Sequence, residues 1–168
     1  MQTYTSANTS INSKQVPAVF KKVNWSSDSI NFDLGGGKYD TATEYLDGLG
    51  VTNLIYDPYN RSRAHNDRVL AIAINHRPDS CTISNVLNVI MEPDVRTDTL
   101  RFAKAVLKSG GSCFITVYEG DKSGVGRVTK GNCYQNNKRL AEYIDEVRNV
   151  FGNALIYKGM IIAEKKEA

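Results

Sequence analysis

The sequence predicts an α/β fold: a mostly parallel sheet of about six strands with helices on both faces and an antiparallel strand at its C-terminal end. Three observations predict it. Short β-type runs alternate with segments of helical period along most of the chain. The first run, from Ile30, ends at Asp33 and meets the turn Gly35-Gly36-Gly37, after which a helical pattern begins. The last two runs, Ala154 to Tyr157 and Met160 to Ala163, are joined by Lys158-Gly159, a tight-turn pair that makes them antiparallel.

Residues 1–13 are rich in Ser, Thr, Asn and Gln and read as a flexible tail or a lid. Val16, Pro17, Val19, Phe20 and Val23 predict a short helix with Pro17 in its first turn, and Trp25 is expected to pack it onto the domain. Residues 1–28 are thus a tail and cover helix, and 29–168 a single domain. Ile30 and Phe32 share one face of a strand. After the glycines, Ala42, Tyr45, Leu46 and Leu49 fall on one helical face. Thr41 and Glu44 have capping-box spacing, and Gly48 and Gly50 mark the helix end. Asn53 to Tyr56 is a second strand, stopped by Asp57-Pro58.

Asn60 to Ile74 predicts one helix capped by Asn60 or Ser62, though its apolar pattern is poor and Val69 to Ile74 also reads as strand. Ser80 to Ile90 is a strand running into a loop. Pro93 opens a helix with Val95, Thr99, Phe102, Ala103, Val106 and Leu107 on one face, closed by Gly110 and Gly111. Ser112 to Tyr118 is the next strand, and Glu119 to Gln135 a long glycine-containing loop. Leu140, Tyr143, Ile144, Val147, Val150 and Phe151 predict a helix capped by Asn136 or Asn137 and ended by Gly152. Glu164 to Ala168 is a charged tail. A parallel crossover takes a dozen or more residues, so the interval 58–79 has room for one helix and no additional strand–helix unit.

Composition bounds the function. At 168 residues, 41% hydrophobic and 23% charged, the chain fits one soluble domain. No run approaches the ~18 apolar residues of a membrane span, and the N-terminus lacks a signal-peptide pattern. Cys81, Cys113 and Cys133 sit singly, which argues for reduced thiols in the cytoplasm; Cys81 and Cys113 read as core residues of strands. His65 and His76 lack ligand spacing, so no metal site is expected. A net charge of +3 does not by itself point to nucleic acid.

The chemistry is concentrated at the glycine turn. Its backbone is open to a ligand, and the helix that follows adds free N–H groups suited to a carboxylate or phosphate. The dinucleotide pattern fails at Asp40, and the P-loop pattern fails because Tyr39 follows Gly37-Lys38. What stands is Asp33-x-Gly35-x-Gly37, which resembles the first motif of class I S-adenosylmethionine-dependent methyltransferases, with Tyr39 where the fuller form has another glycine. Asp57, ending the second strand, has the two acceptor oxygens that a ribose diol needs. The block from Ser84 through Leu107-Lys108-Ser109-Gly110-Gly111 to Glu119 resembles the second half of the same core.

The resemblance covers Ile30 to Glu119 and implies a Rossmann-like sheet that binds S-adenosylmethionine and transfers its methyl group. It implies cofactor contacts at Asp33, Gly35, Gly36, Gly37, Asp57, Pro58, Asn85, Val86 and Leu87. The strand–helix unit missing from the interval 58–79 normally supplies part of the adenine pocket, and residues from Arg77 to Ser80 are expected to replace it. Tyr118, Glu119 and Asp121 leave the C-terminal end of a central strand and are the candidate catalytic residues, one of them as a base; taken singly, Glu119 and Asp121 read first as loop solvation. Asn85-Val86-Leu87-Asn88 stands where DNA adenine-N6 and cytosine-N4 enzymes carry a Pro-Pro motif, and there is no Pro-Cys pair, which favours a small-molecule acceptor. Protein and RNA acceptors stay open, as do a non-catalytic binder of the cofactor and a nucleic-acid module using Arg61, Arg63, Arg68 and Arg77.

Overall fold

In this computed structural model, which describes residues 1–7 and 14–167, the chain begins with α1 (Ala18–Lys22), β1 (Ile30–Leu34), α2 (Thr41–Asp47), β2 (Thr52–Tyr56), α3 (Arg63–His76) and β3 (Ser80–Ser84). It continues through α4 (Pro93–Val106), β4 (Ser112–Thr116), β5 (Arg127–Val128), β6 (Tyr134–Gln135), α5 (Ile144–Phe151), β7 (Leu155–Tyr157) and β8 (Met160–Glu164). Short 3-10 turns occur at Leu87–Val89 and Leu140–Tyr143. The main sheet has six strands in the order β2-β1-β3-β4-β8-β7. The strands β1 to β4 are parallel, β8 runs antiparallel to β4, and β7 antiparallel to β8. This is the shortened, mostly parallel sheet that the spacing predicts. Among the described residues no helix is long and apolar enough to cross a membrane.

The interval after Asp57 holds α3 alone, and Val69 to Ile74 is helical. Ser62 is the N-cap, its side chain accepting from His65 N. The helix buries only Asn66, Val69 and Ala73, one narrow stripe, which is why its apolar pattern is poor. Losing a strand leaves β2 at the edge of the sheet, and an unpaired edge is a liability. Here α3 covers part of it: His65 Nε2 donates to Ile55 O (2.8 Å), while Asn66 bonds both the backbone N–H and C=O of Asp57 (3.0 Å each).

Helices lie on both faces. Phe32, Leu34, Leu54, Cys81, Ile83, Cys113 and Ile115 face α3, α4 and α5 in the larger core. There the rings of Phe32, Tyr56 and Phe102 meet at centroid distances of 5.2–5.9 Å. Val19 and Phe20 of α1 pack with Ala42 and Leu46 of α2, Val51 and Met160 in a second core. Trp25 joins that layer, stacking on Phe20 and meeting Phe114 edge-on.

Local chemistry departs from expectation at three helix starts. Pro17 is the N-cap of α1 and precedes its first turn. Asp40, not Thr41, is the N-cap of α2, and it makes no side-chain cap because its carboxylate pairs with Arg61 (2.9 Å). Asn136 and Asn137 do not cap α5; the helix is entered through Leu140–Tyr143, with Glu142 Oε2 accepting from Arg139 N (2.7 Å). Asn136 is turned away from the helix, its amide donating to the carbonyls of Leu87 and Ile90 (2.9 Å each).

One buried ion pair ties the larger core together. Arg96 of α4 is 2% exposed, bonds Glu146 of α5 at 2.7–3.1 Å, and donates to Ile90 O and Met91 O. Replacing Arg96 by Ala should destabilise the fold by about 3 kcal/mol, because it strands Glu146 and removes the donor to Met91 O, while Ile90 O keeps its bond from Asn136. Urea unfolding would measure it, and Arg96→Lys should recover only part of the loss.

Candidate functional site

The order β2-β1-β3 means that the chain reverses its direction across the sheet between β1 and β3. Ligands of open α/β sheets bind at such a reversal, beyond the C-terminal strand ends. A cavity of about 520 Å³ lies there. Asp33, Gly35, Gly36, Gly37, Asp57, Pro58, Asn85 and Val86 line it. Leu87 does not; it is wholly buried in the larger core behind Val86.

The glycine turn is built from both sides. Gly35 N donates to Tyr56 O (2.8 Å), carrying the β1–β2 ladder one step beyond the strands. At Gly36 a Cβ would lie 2.5 Å from Asp33 Oδ2 and 2.9 Å from Ile55 Cγ2, so no side chain fits. Gly37 has φ +78° with open space around it; there the conformation, not the room, demands glycine.

Asp57 holds this turn against the next loop. Its Oδ2 accepts from Gly37 N (2.9 Å), and its Oδ1 accepts from Tyr59 N and Asn60 N (3.0 Å each). Asn60 Nδ2 bridges both oxygens at 3.2 Å. On the other side of Gly37, Arg61 Nε donates to Gly37 O (2.7 Å) and Arg61 Nη2 to Tyr39 O (2.8 Å). Sequence reasoning had placed Arg61 in a basic set with Arg63, Arg68 and Arg77, yet the set is scattered. Arg61 turns inward at the C-terminal strand ends, while Arg77 at the opposite ends donates to Ala105 O (3.0 Å). The same distance removes Arg77 to Ser80 from the cavity, because α3 carries the chain back to the start of β3. Pro58, Tyr59 and Asn60 border the cavity just beyond the end of β2, the edge strand.

Asp33 is fed by a buried chain of hydrogen bonds across the sheet. Ser80 Oγ donates to Asn31 Oδ1 (2.8 Å), Asn31 Nδ2 to Thr82 Oγ1 (2.9 Å), and Thr82 Oγ1 to Asp33 Oδ1 (3.1 Å). Asn31 also donates to Asn53, and Asn53 to Thr43 of α2. Burial pushes the Asp33 carboxyl up to about 6, against the lowering pull of the Thr82 hydroxyl.

The other end of the cavity is made by segments that carry no motif. Val16, Pro17 and Phe20 approach from α1 and its lead-in, and Gln2, Thr5 and Ser6 cover it. This N-terminal stretch is held in place: Tyr4 stacks on Tyr134 (5.6 Å), Ser6 N donates to Asn132 O (3.0 Å), and Thr3 N donates to Glu92 Oε1 (2.9 Å). The rest of the expected tail, 8–13, lies outside the described residues. The loop 119–135 therefore reaches the cavity through its contacts with residues 4–6, not through its first residues.

Tyr118, Glu119 and Asp121 do not line the cavity. Tyr118 is 65% exposed. Glu119 Oε2 accepts from Leu140 N (2.8 Å), and Asp121 Oδ1 accepts from Ser123 N (2.9 Å); the Ser123 hydroxyl first, and its N–H second, hold the Asp121 carboxyl below its usual range. These two acids build the loop around Gly120. Among the described residues no group of three or more His, Cys, Asp and Glu is placed to hold a metal ion.

No protein-family model and no curated protein matches the chain. Solved structures do. A Burkholderia thailandensis 1,6-didemethyltoxoflavin-N1-methyltransferase, with 1,6-didemethyltoxoflavin and S-adenosylhomocysteine bound, superposes with a TM-score of 0.62 at 18% identity, over 84% of this chain and 72% of that one. A Listeria monocytogenes protein described as a putative S-adenosylmethionine-dependent methyltransferase gives 0.59 at 14% identity, over 89% and 97%. A chain from the complex of the Haloferax volcanii Trm112 methyltransferase activator with its putative methyltransferase gives 0.59 at 11%, over 89% and 88%. Several longer matches are spanned over only about 55% of their length.

Asp33 sets a pH signature. Its folded pKa lies above the unfolded value of 3.8, so the folded chain binds the extra proton and stability falls as pH rises from about 4 to about 6. Asp33→Asn should flatten that window and stabilise the ligand-free protein at neutral pH by up to about 3 kcal/mol, read from urea unfolding across the range.

Proposed function

From a chain with the fold of the class I S-adenosylmethionine-dependent methyltransferases, we propose a protein that binds S-adenosylmethionine in this cavity and transfers its methyl group to a small-molecule acceptor. The observation that carries the reading is the joining of Asp57 to the glycine turn at the head of the cavity, at the reversal of the sheet. The residues present fit the cofactor. The turn has no side chain at Gly36 to obstruct an approach, Asp57 lines the cavity wall, where ribose hydroxyls would take the place of Asn60 Nδ2 on its carboxylate, and the volume suits a ligand of this size.

In this reading Asp33 and Gly35 to Gly37 frame the methionine and ribose end, and Asp57 takes the ribose hydroxyls. Pro58 borders the base, and Asn85 and Val86 stand near the sulfonium, with Leu87 supporting Val86 from behind. The cofactor supplies a methyl group already activated by a positive sulfur. The chain's own residues have to orient the acceptor and exclude water. Val16, Pro17, Phe20 and the covering residues 2–6 enclose the far end, which favours a small acceptor over a polymer. Glu119 and Asp121 serve this site by shaping the loop that anchors residues 4–6, and Tyr118 O accepts from Gln135 of the same loop. A second reading, a binder without turnover, is favoured by their distance from the cavity, since no carboxylate stands at its acceptor end among the described residues.

Calorimetry with S-adenosylmethionine and S-adenosylhomocysteine tests the proposal, and absence of heat with both at high concentration would sink it. Asp57→Ala should weaken binding by ~1–3 kcal/mol, the scale of hydrogen bonds to a charged group. Shortening Ser123 to Lys130 should leave affinity for S-adenosylhomocysteine nearly unchanged and abolish methyl transfer, because it removes β5, the strand paired with Tyr134 and Gln135, and so unsettles the anchor of residues 4–6. Full transfer by the shortened protein would place the acceptor elsewhere.

A further inference from the structure

Resting on the cofactor reading above, we propose that Arg61 is a positioning residue for the methionine end of the cofactor, acting through the glycine turn that it grips. The backbone of Gly37 is held on both sides of its Cα: its N–H by Asp57 Oδ2 at 2.9 Å, its C=O by Arg61 Nε at 2.7 Å. The same guanidinium reaches Tyr39 O at 2.8 Å and Asp40 Oδ1 at 2.9 Å. A planar fork with several donors fixes direction as well as distance, which one ammonium does not. Arg61 is fixed in turn. Its own N–H donates to Asp57 O (3.1 Å), and its C=O accepts from Asn66 Nδ2 (3.4 Å). Its side chain is 13% exposed.

Arg61 does not line the cavity, so it touches no ligand and works only through the turn. The need for it follows from the fold. Gly37 sits at φ +78° with nothing packed within 4 Å of where a Cβ would stand. Packing therefore does not hold this peptide, and glycine has more conformations to lose than any other residue. A sheet with one more strand would raise a wall beside β2. Here the loop before α3 folds straight back onto the turn, and Arg61 is the side chain that closes the gap.

The test compares S-adenosylhomocysteine, which carries the methionine end, with 5′-methylthioadenosine, which lacks it. Calorimetry on the full chain would use the wild type, Arg61→Ala and Arg61→Lys, with thermal unfolding of each ligand-free protein as control. Arg61→Ala should weaken S-adenosylhomocysteine by about tenfold or more, the scale of charge-assisted hydrogen bonds. Methylthioadenosine should weaken severalfold less, and Arg61→Lys should fall between. Amide hydrogen exchange should accelerate at Gly37 and not at Phe32 in β1. Equal losses on both ligands, or none, would overturn the proposal and leave Arg61 a stabiliser of the loop. If Arg61→Ala does not fold, the same two-ligand comparison on Arg61→Lys decides. Wild-type protein that binds neither ligand would overturn the cofactor reading, and this inference with it; wild-type binding with an unselective variant overturns this inference alone.

Discussion

The carboxylate of Asp57 is the joint on which the site depends. It accepts from the glycine turn with one oxygen and from its own loop with the other, so the ends of β1 and β2 and the start of α3 share one anchor. Asn66 then fixes the backbone of Asp57 at both its N–H and its C=O. Hydrogen bonds to a charged acceptor are stronger than neutral ones, and this acceptor is nearly buried. A cavity can stay open at the strand ends because the turn beside it is held by these bonds and not by packing across the gap.

The shortened sheet explains several features together. With β2 at the edge, α3 does two tasks: it shields part of that edge through His65, and it begins in a loop that braces the glycine turn. The helix spends few apolar residues on the core, and two of its polar ones, His65 and Asn66, carry structural hydrogen bonds. On the opposite face, the chain of hydrogen bonds from Ser80 to Asp33 fills the space beneath α2 with satisfied polar groups. That arrangement keeps Asp33 buried beside Asp57 at the edge of the cavity, where its proton is held to higher pH than in water.

Cover over the cavity comes from the part of the chain that carries no motif. Residues 2–6 are polar, yet they are ordered by one aromatic stack and by hydrogen bonds to the 119–135 loop and to Glu92. The acids of that loop are used locally, Glu119 at the entry to the last helix and Asp121 at a turn. An acid at the end of a central strand is therefore not sufficient to place a catalytic group: a few residues of loop decide whether it faces the ligand or the backbone.

What the sequence determined by itself is what depends on period and on local chemistry. Alternation, helical spacing and the Lys158-Gly159 turn set the order of the main-sheet strands and the helices, though the short β5–β6 pair lies in what reads as a loop, and the interval 58–79 leaves room for one helix only. The glycine turn and the two acids were legible because only glycine tolerates the close approach at residue 36 and the positive φ at residue 37. The tertiary structure alone decided which way polar side chains point. Asn31, Asn53 and Thr82 alternate with apolar neighbours as solvent-facing residues would, but a second helical layer buries them. Arg61 reads as one cation among several, and Asn136 as a helix cap, until the fold brings the carbonyls of Gly37, Leu87 and Ile90 beside them. Periodicity records burial along one element; the partner of a long polar side chain is set by whichever distant backbone group would otherwise be buried unpaired, and that is known only when the chain has closed.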